Sequence, residues 1–281
     1  MKRLLLFGGD GQVGWELRRT LAALGDVIVR GHDRLDLGDA DALRTAVADA
    51  APDIIVNAAA YTTVDQAETE ADIAMRINAT APGIMAEEAT KRDALLVHYS
   101  TDYVFDGSLD RPYREDDAAA PLNVYGRSKL AGEEAIRATD CRHLIFRTSW
   151  VYGQRGKNFL RTLQRLGREK EELSVVADQI GAPTWSRLVA EATALALRGD
   201  PPPGIYHLSC AGTASWHDFA AAILAAQGWR GRLLPIPACD YPLPARRPAN
   251  SRLDNGKLAR QLGLQLPDWR AALALCLGSG Q

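Results

Sequence analysis

The sequence predicts an α/β fold, a doubly wound parallel sheet with a smaller α/β lobe toward the C-terminus. Three observations predict it. Short continuous apolar runs recur through the first half, helical patterns separate them, and a glycine-rich loop follows the first run. Apolar runs without alternation belong to strands covered on both faces, as in parallel sheets joined by crossover helices.

The elements follow in order. Leu4 to Phe7 reads as a buried strand and Gly14 to Leu24 as a helix carrying Trp15, Leu17 and Leu21. Val27 to Arg30 is a second strand, Ala40 to Ala50 a helix, and Ile54 to Val56 a strand bounded by Pro52 and Asn57. Pro82 marks a helix start, opening Gly83 to Arg92. Leu95 to Tyr99 is a strand, Tyr125 to Thr139 a helix, and Leu144 to Phe146 a strand. Residues 1–150 are thus expected to form a dinucleotide-binding domain. Prolines at 201–203, 235–248 and 267 break up the remainder, so 151–281 is expected to be mainly a substrate lobe. The helical pattern over about 186–197 is placed to return to the first domain. The tail Gly278-Ser279-Gly280-Gln281 is expected to be disordered.

Composition narrows the class of function. The chain has 281 residues, 47% hydrophobic and 24% charged, with a net charge of −2. That balance suits a globular protein and offers no basic surface for nucleic acid. Cysteines at 141, 210, 239 and 276 form no Cys-x-x-Cys pair, which speaks against a zinc site or a disulfide framework and for reduced cytoplasmic thiols. Met1-Lys2-Arg3 precedes only four apolar residues before Gly8, too few for a signal sequence or a membrane span.

The loop after the first strand carries glycines at 8, 11 and 14. Such spacing lets Gly8 turn tightly, Gly11 admit a pyrophosphate to the backbone, and Gly14 seat a helix against the strand, whose N-terminal amides then face the phosphates. An acidic residue about twenty positions beyond the glycines suits a ribose 2′-hydroxyl. Asp33 fills that place and favours NADH, whereas the adjacent Arg34 suits a 2′-phosphate and favours NADPH. Strand Leu95 to Tyr99 ends in Ser100-Thr101-Asp102, at the edge where an open α/β sheet binds ligands. Tyr125 and Lys129 are four apart, hence on one helix face. An ammonium there is expected to lower the phenol toward useful acid/base range. Thr101 would hydrogen-bond a carbonyl while Tyr125 donates the proton.

Longer strings narrow the reading: Gly11 to Leu17 (GQVGWEL), Asn57 to Thr62 (NAAAYT), Tyr99 to Gly107 (YSTDYVFDG), Arg147 to Tyr152 (RTSWVY), Asp178 to Thr184 (DQIGAPT) and Arg247 to Asp254 (RPANSRLD). The chain resembles the extended short-chain dehydrogenase/reductase superfamily, with a Rossmann-like domain, and within it the dTDP-4-dehydrorhamnose reductases, over nearly its whole length. The resemblance implies reduction of the C4 ketone of dTDP-4-dehydro-L-rhamnose to dTDP-L-rhamnose with NADPH or NADH. It makes Thr101, Tyr125 and Lys129 the catalytic trio, and Thr101, Asp102, Trp150 and Arg247 substrate contacts, Arg247 at the diphosphate. Gly8, Gly11, Gln12, Val13, Gly14, Asp33, Arg34, Asp36, Leu37, Ala58, Ala59, Ala60, Tyr99, Tyr125 and Lys129 become the cofactor positions. Some relatives carry Mg2+ at a homodimer contact, for which Glu16 and Glu191 are the candidates; the chemistry itself needs no catalytic metal. Two rivals stay open, a sugar-nucleotide epimerase of the same superfamily and a non-catalytic regulatory subunit on the same scaffold. A 4,6-dehydratase is disfavoured because Thr101-Asp102 is followed by Tyr103 instead of a second acid.

Overall fold

The computed structural model describes residues 1–31, 33 and 35–278. The expectations for Arg34 and for the tail beyond Gly278 lie outside them. In the first half, β1 (Lys2–Phe7), α1 (Gln12–Thr20), β2 (Gly25–Arg30), α2 (Ala40–Ala50) and β3 (Ile54–Asn57) alternate strictly. Next come α3 (Ala71–Met75), α4 (Ala81–Thr90), β4 (Leu95–Thr101), α5 (Val124–Arg137) and β5 (His143–Thr148). Side chains on alternate positions of the strands pack on opposite faces. Leu4, Leu6, Val56, Val97, Tyr99, Leu144 and Phe146 share one core with Leu17 of α1. Leu5, Phe7, Ile55, Leu96 and Ile145 share the other with Leu43 and Val47 of α2, Met85 of α4 and Ile136 of α5. Burial on both faces is why these strands read as unbroken apolar runs.

Pro82 stands in the first turn of α4, as expected, but the helical backbone reaches further back. Helical backbone already begins at Ala71, and a π-helical stretch, Arg76–Thr80, joins α3 to α4, whose first turn holds the proline. Proline lacks the N–H that would continue the α ladder, and a wider turn accommodates that loss. Asn78 within this stretch exchanges hydrogen bonds with the Tyr61 backbone, at 2.8 and 3.0 Å, and donates to Ser128 of α5.

The second half contributes β6 (Val151–Tyr152), α6 (Phe159–Glu169), β7 (Glu172–Val176), β8 (Ile180–Gly181), β9 (Thr184–Trp185) and α7 (Ser186–Arg198). It ends with β10 (Gly204–His207), β11 (Ala214–Ser215), α8 (Trp216–Ala226), β12 (Arg232–Ile236), α9 (Gly256–Leu262) and α10 (Trp269–Leu277). Three two-stranded pairs, β6 with β9, β8 with β11 and β7 with β12, surround a core of Tyr152, Leu160, Phe219, Ile223 and Trp269. Two segments leave that lobe. Helix α7 packs Val189 and Ala190 beside Leu17 and Leu21, with the Thr20 hydroxyl donating to the Ala190 carbonyl at 3.2 Å. Strand β10, which the sequence reading did not anticipate, closes the main sheet beside β5. The six strands run parallel in the order β10-β5-β4-β3-β1-β2, as the predicted fold class requires. The chain turns to one side after β1 to form β2 and to the other to form β3, so a crevice opens beyond their carboxyl ends, the usual ligand site of such sheets.

Candidate active site

Two loops line that crevice. Gly8 follows β1 with φ +74°, a conformation that favours glycine, and the backbone of Ala58 and Ala59 lies so close that a side chain at Gly8 would collide with it. Gly14 lies against the Gly8 carbonyl, and Gly11 caps α1, whose first turn has neither an acidic residue nor a side-chain cap. Bare amides at a helix N-terminus suit phosphate. The residues therefore fit a dinucleotide. Gln12 and Val13 open the helix; Gln12 Oε1 accepts from Asn158 Nδ2 at 2.8 Å, and Val13 packs on the core. Asp33 follows β2, and its carboxylate and that of Asp10 both lie against Gly31. The Asp36 carboxylate accepts from the Gly38 amide at 2.8 Å, while Leu37 packs inward. Ala58, Ala59 and Ala60 follow β3 on the same side, the first two against Gly8.

The second cluster sits where β4 meets α5. The Asn123 side chain caps α5 by accepting from the Gly126 amide at 2.7 Å, which fixes the turn that presents Tyr125 and Lys129. Thr101, at the end of β4, donates to Asp102 Oδ1 at 3.0 Å and accepts from the Tyr103 amide at 3.1 Å. Its hydroxyl also lies near enough to the Tyr125 phenol to favour its ionisation. Asp102 is buried with Oδ2 unpartnered, and burial raises its carboxyl to about 7. A buried carboxyl oxygen without a partner, beside a hydroxyl and a phenol, is a polar group placed for a ligand.

Electrostatics here correct one expectation. Burial pushes the Tyr125 phenol up to about 12, the Thr101 hydroxyl opposes that, and the nearby Asp102 carboxylate adds to it. Lys129 does not lower it, because its Nζ donates to the Tyr99 carbonyl at 2.6 Å and lies 3.1 Å from His98 Nε2. Burial brings Lys129 itself down to about 8, with Glu133 opposing. Behind it, the buried Arg147 guanidinium pairs with Glu133 through two hydrogen bonds of 2.9 and 2.6 Å, and the Ser100 hydroxyl donates to the same carboxylate.

A family model described as the RmlD substrate binding domain matches residues 1–281. A dTDP-4-dehydrorhamnose reductase of Burkholderia thailandensis is 49% identical to this chain over 98% of both. The chain belongs to the dTDP-4-dehydrorhamnose reductase family. An Escherichia coli K12 enzyme of that name is 47% identical over 96% of this chain and 95% of its own. The Bacillus anthracis dTDP-4-dehydrorhamnose reductase, solved in complex with NADP, superposes with a TM-score of 0.94 at 36% identity, covering 98% of each chain. Membership bears out the expected oxidoreductase class and the use of a nicotinamide cofactor.

Other family positions fall less simply. Tyr99 turns its phenol away from Lys129, to Thr193 of α7 at 2.7 Å, and meets Lys129 only through its carbonyl. Trp150 has φ +47° and stacks on Trp216 of α8, ring centroids 3.6 Å apart and 5° from parallel. Gly181 needs no unusual backbone; the Trp150 ring and the Ser251 hydroxyl lie where its side chain would be. The Arg247 guanidinium is not free for a diphosphate as expected, since it holds Asp65 at 2.9 and 2.8 Å and the Ala245 carbonyl at 2.6 Å. The magnesium candidates, Glu16 of α1 and Glu191 of α7, both act on Arg187. Glu191 pairs with Arg187 at 2.9 Å, and among the described residues no group of three or more His, Cys, Asp or Glu side chains gathers. Among the described residues, no helix is long and apolar enough to cross a membrane.

Sequence reasoning missed Asn57, His98 and Trp216. A histidine two residues before the Ser100-Thr101 pair, in an otherwise apolar strand, was the available signal for the first two. For Trp216 there was none short of the fold, because 66 positions separate it from Trp150.

Proposed function

We propose that Thr101, Tyr125 and Lys129 carry, in this chain, the reduction of the C4 ketone of dTDP-4-dehydro-L-rhamnose to dTDP-L-rhamnose. The observation that carries the reading is the contact of the Tyr125 phenol with the Thr101 hydroxyl beside an unpartnered buried carboxyl oxygen. The bound nicotinamide supplies the hydride. Thr101 and Tyr125 hold the ketone oxygen, and Tyr125 gives it a proton as negative charge develops there. Lys129, turned to the Tyr99 carbonyl and His98 in the nucleotide-free protein, would stabilise the resulting phenolate only on turning toward it as an ammonium. Asp102 orients the sugar through Oδ2, and the Trp150 face, stiffened by Trp216, lies against it.

NADPH is the proposed reductant, on the strength of the Bacillus anthracis relative solved with NADP. Gly8, Gly11, Gln12, Val13, Gly14, Asp33, Asp36, Leu37 and Ala58 to Ala60 form the proposed cofactor wall. Arg247 has already neutralised its charge on Asp65, so it would meet a diphosphate as a hydrogen-bond donor only. A cytoplasmic location follows from the substrate, a soluble nucleotide sugar. The test follows NADPH, and separately NADH, by absorbance with the ketosugar generated in situ and the product weighed by mass spectrometry. Consumption with dTDP-rhamnose appearing supports the reading; folded, cofactor-binding protein that consumes neither overturns it and favours the epimerase or the regulatory subunit.

A further inference from the structure

Lys129 is held by a buried hydrogen-bond chain whose polarity the structure fixes. It starts at a backbone amide, Ala59 N–H, which donates to Asn57 Oδ1 at 3.1 Å. A backbone N–H can only donate, so this settles which end of the amide is oxygen. Asn57 Nδ2 then faces His98 Nδ1 at 3.1 Å, and an NH2 group can only donate there. His98 Nδ1 must accept and therefore carries no proton. A neutral imidazole has one N–H, which falls on Nε2. Nε2 is the atom 3.1 Å from Lys129 Nζ.

Two donors cannot share one hydrogen bond. An ammonium has three N–H groups and no lone pair, so it would oppose the Nε2–H. An amine accepts from Nε2–H with its lone pair and still donates to the Tyr99 carbonyl at 2.6 Å. We propose that Asn57 and His98 are positioning residues which, through a locked Nε2–H tautomer, hold Lys129 as a neutral amine in the nucleotide-free protein. Asn57 and His98 are both buried, at 1% and 0% exposure, so water does not arbitrate the contact. Burial moves both groups the same way, holding His98 well below the ordinary imidazole range and bringing Lys129 to about 8, and the Nε2–H contact carries the lysine the rest of the way below neutrality.

The other groups around Lys129 leave this balance in place. Glu133, one turn further along α5, favours the ammonium, but its carboxylate is already taken by Arg147 of β5 and by Ser100 of β4. Tyr125, one turn back, is held protonated by its burial. The proposal rests on the catalytic reading only for its consequence. A resting amine must gain a proton from solvent before it can serve as the cation beside a Tyr125 phenolate, so assembly of the reactive complex takes up a proton.

The test needs no turnover. Histidine-labelled protein without nucleotide is studied by long-range 1H–15N correlation, with His98 assigned by the signals lost in His98→Gln. Expected is an unprotonated Nδ1 and a protonated Nε2 on both sides of neutrality. Protonation at Nδ1, or an imidazolium near neutral pH, overturns the proposal. If His98→Gln does not fold, the ring whose Nε2 shift moves in Lys129→Met makes the assignment. Asn57→Asp supplies the converse: one carboxylate oxygen still accepts from Ala59, the other accepts from Nδ1–H, and the Nε2 lone pair then faces Lys129. The pH midpoint of the Lys129 13Cε resonance is expected to rise by about one unit, roughly tenfold in proton affinity. An unchanged tautomer and midpoint in that variant would separate Lys129 from the chain even if the reductase reading stands.

Discussion

The two walls of the crevice are built in different ways. The cofactor wall is backbone: Gly8, Gly11 and Gly14, the bare N-terminus of α1, and the Ala58 to Ala60 stretch, all within one contiguous parallel sheet and its first turns. The substrate wall is side chains gathered from distant segments. Trp150 leans on Trp216, and Arg247 reaches back to Asp65 across 182 positions. Between them stands the β4–α5 junction, which is local in sequence yet buried like a core. The difference teaches that backbone sites depend on small residues at fixed spacing, whereas the substrate wall depends on pairs, each fixing the other's rotamer.

The sharpest way to break this picture is at the junction. Tyr125→Phe removes the acid and leaves the packing, so turnover is expected to fall by about 10²–10⁴-fold with NADPH affinity unchanged, read by steady-state kinetics and by fluorescence titration. Near-wild-type turnover would sink the assignment. Glu133→Gln probes the same junction as architecture. It leaves Arg147, only 3% exposed, without its counter-charge, and unpairing a buried ion pair costs about 3–5 kcal/mol. A denaturant midpoint within error of wild type would mean that the pair does not bear on stability.

What was legible in the sequence follows the same division. The parallel sheet, the glycine loop and Tyr125 with Lys129 could be read because each depends on periodicity or on close spacing. The Tyr125 phenol value could not, since it depends on burial and on where the Lys129 Nζ turns, which is toward the Tyr99 carbonyl and His98. Pro82 marked the start of α4, but nothing local to it revealed the π stretch that ties α4 back to α3. The state of Arg247 was hidden because its partner, Asp65, carries no local mark of the pairing. Strand β10 was hidden because four residues between a proline cluster and a polar loop give no period.

The substrate wall should respond more gently. Trp216→Ala removes the stack beneath Trp150, and such pairs contribute about 0.5–1.5 kcal/mol beyond area burial. The expected result is a KM for the sugar nucleotide raised by roughly two- to twelvefold, with cofactor affinity unchanged and partial recovery in Trp216→Phe. An effect on kcat alone would place Trp150 away from the sugar.

The smallest effect is expected at Asp65, and its sign is the informative part. Asp65 and Arg247 are partly exposed, at 37% and 15% of their side chains, and pairs of that kind are worth about 0.2–1 kcal/mol. If Arg247 faces the diphosphate with its charge already satisfied, Asp65→Asn returns that charge to the site. The KM for the sugar nucleotide should then fall by up to about fivefold, with less change at high salt, because mobile ions screen the released charge. A KM that rises instead would mean that the carboxylate aims the guanidinium more than it neutralises it. In that case the two walls differ less than their construction suggests, since the pair would be holding geometry as the glycine loop does.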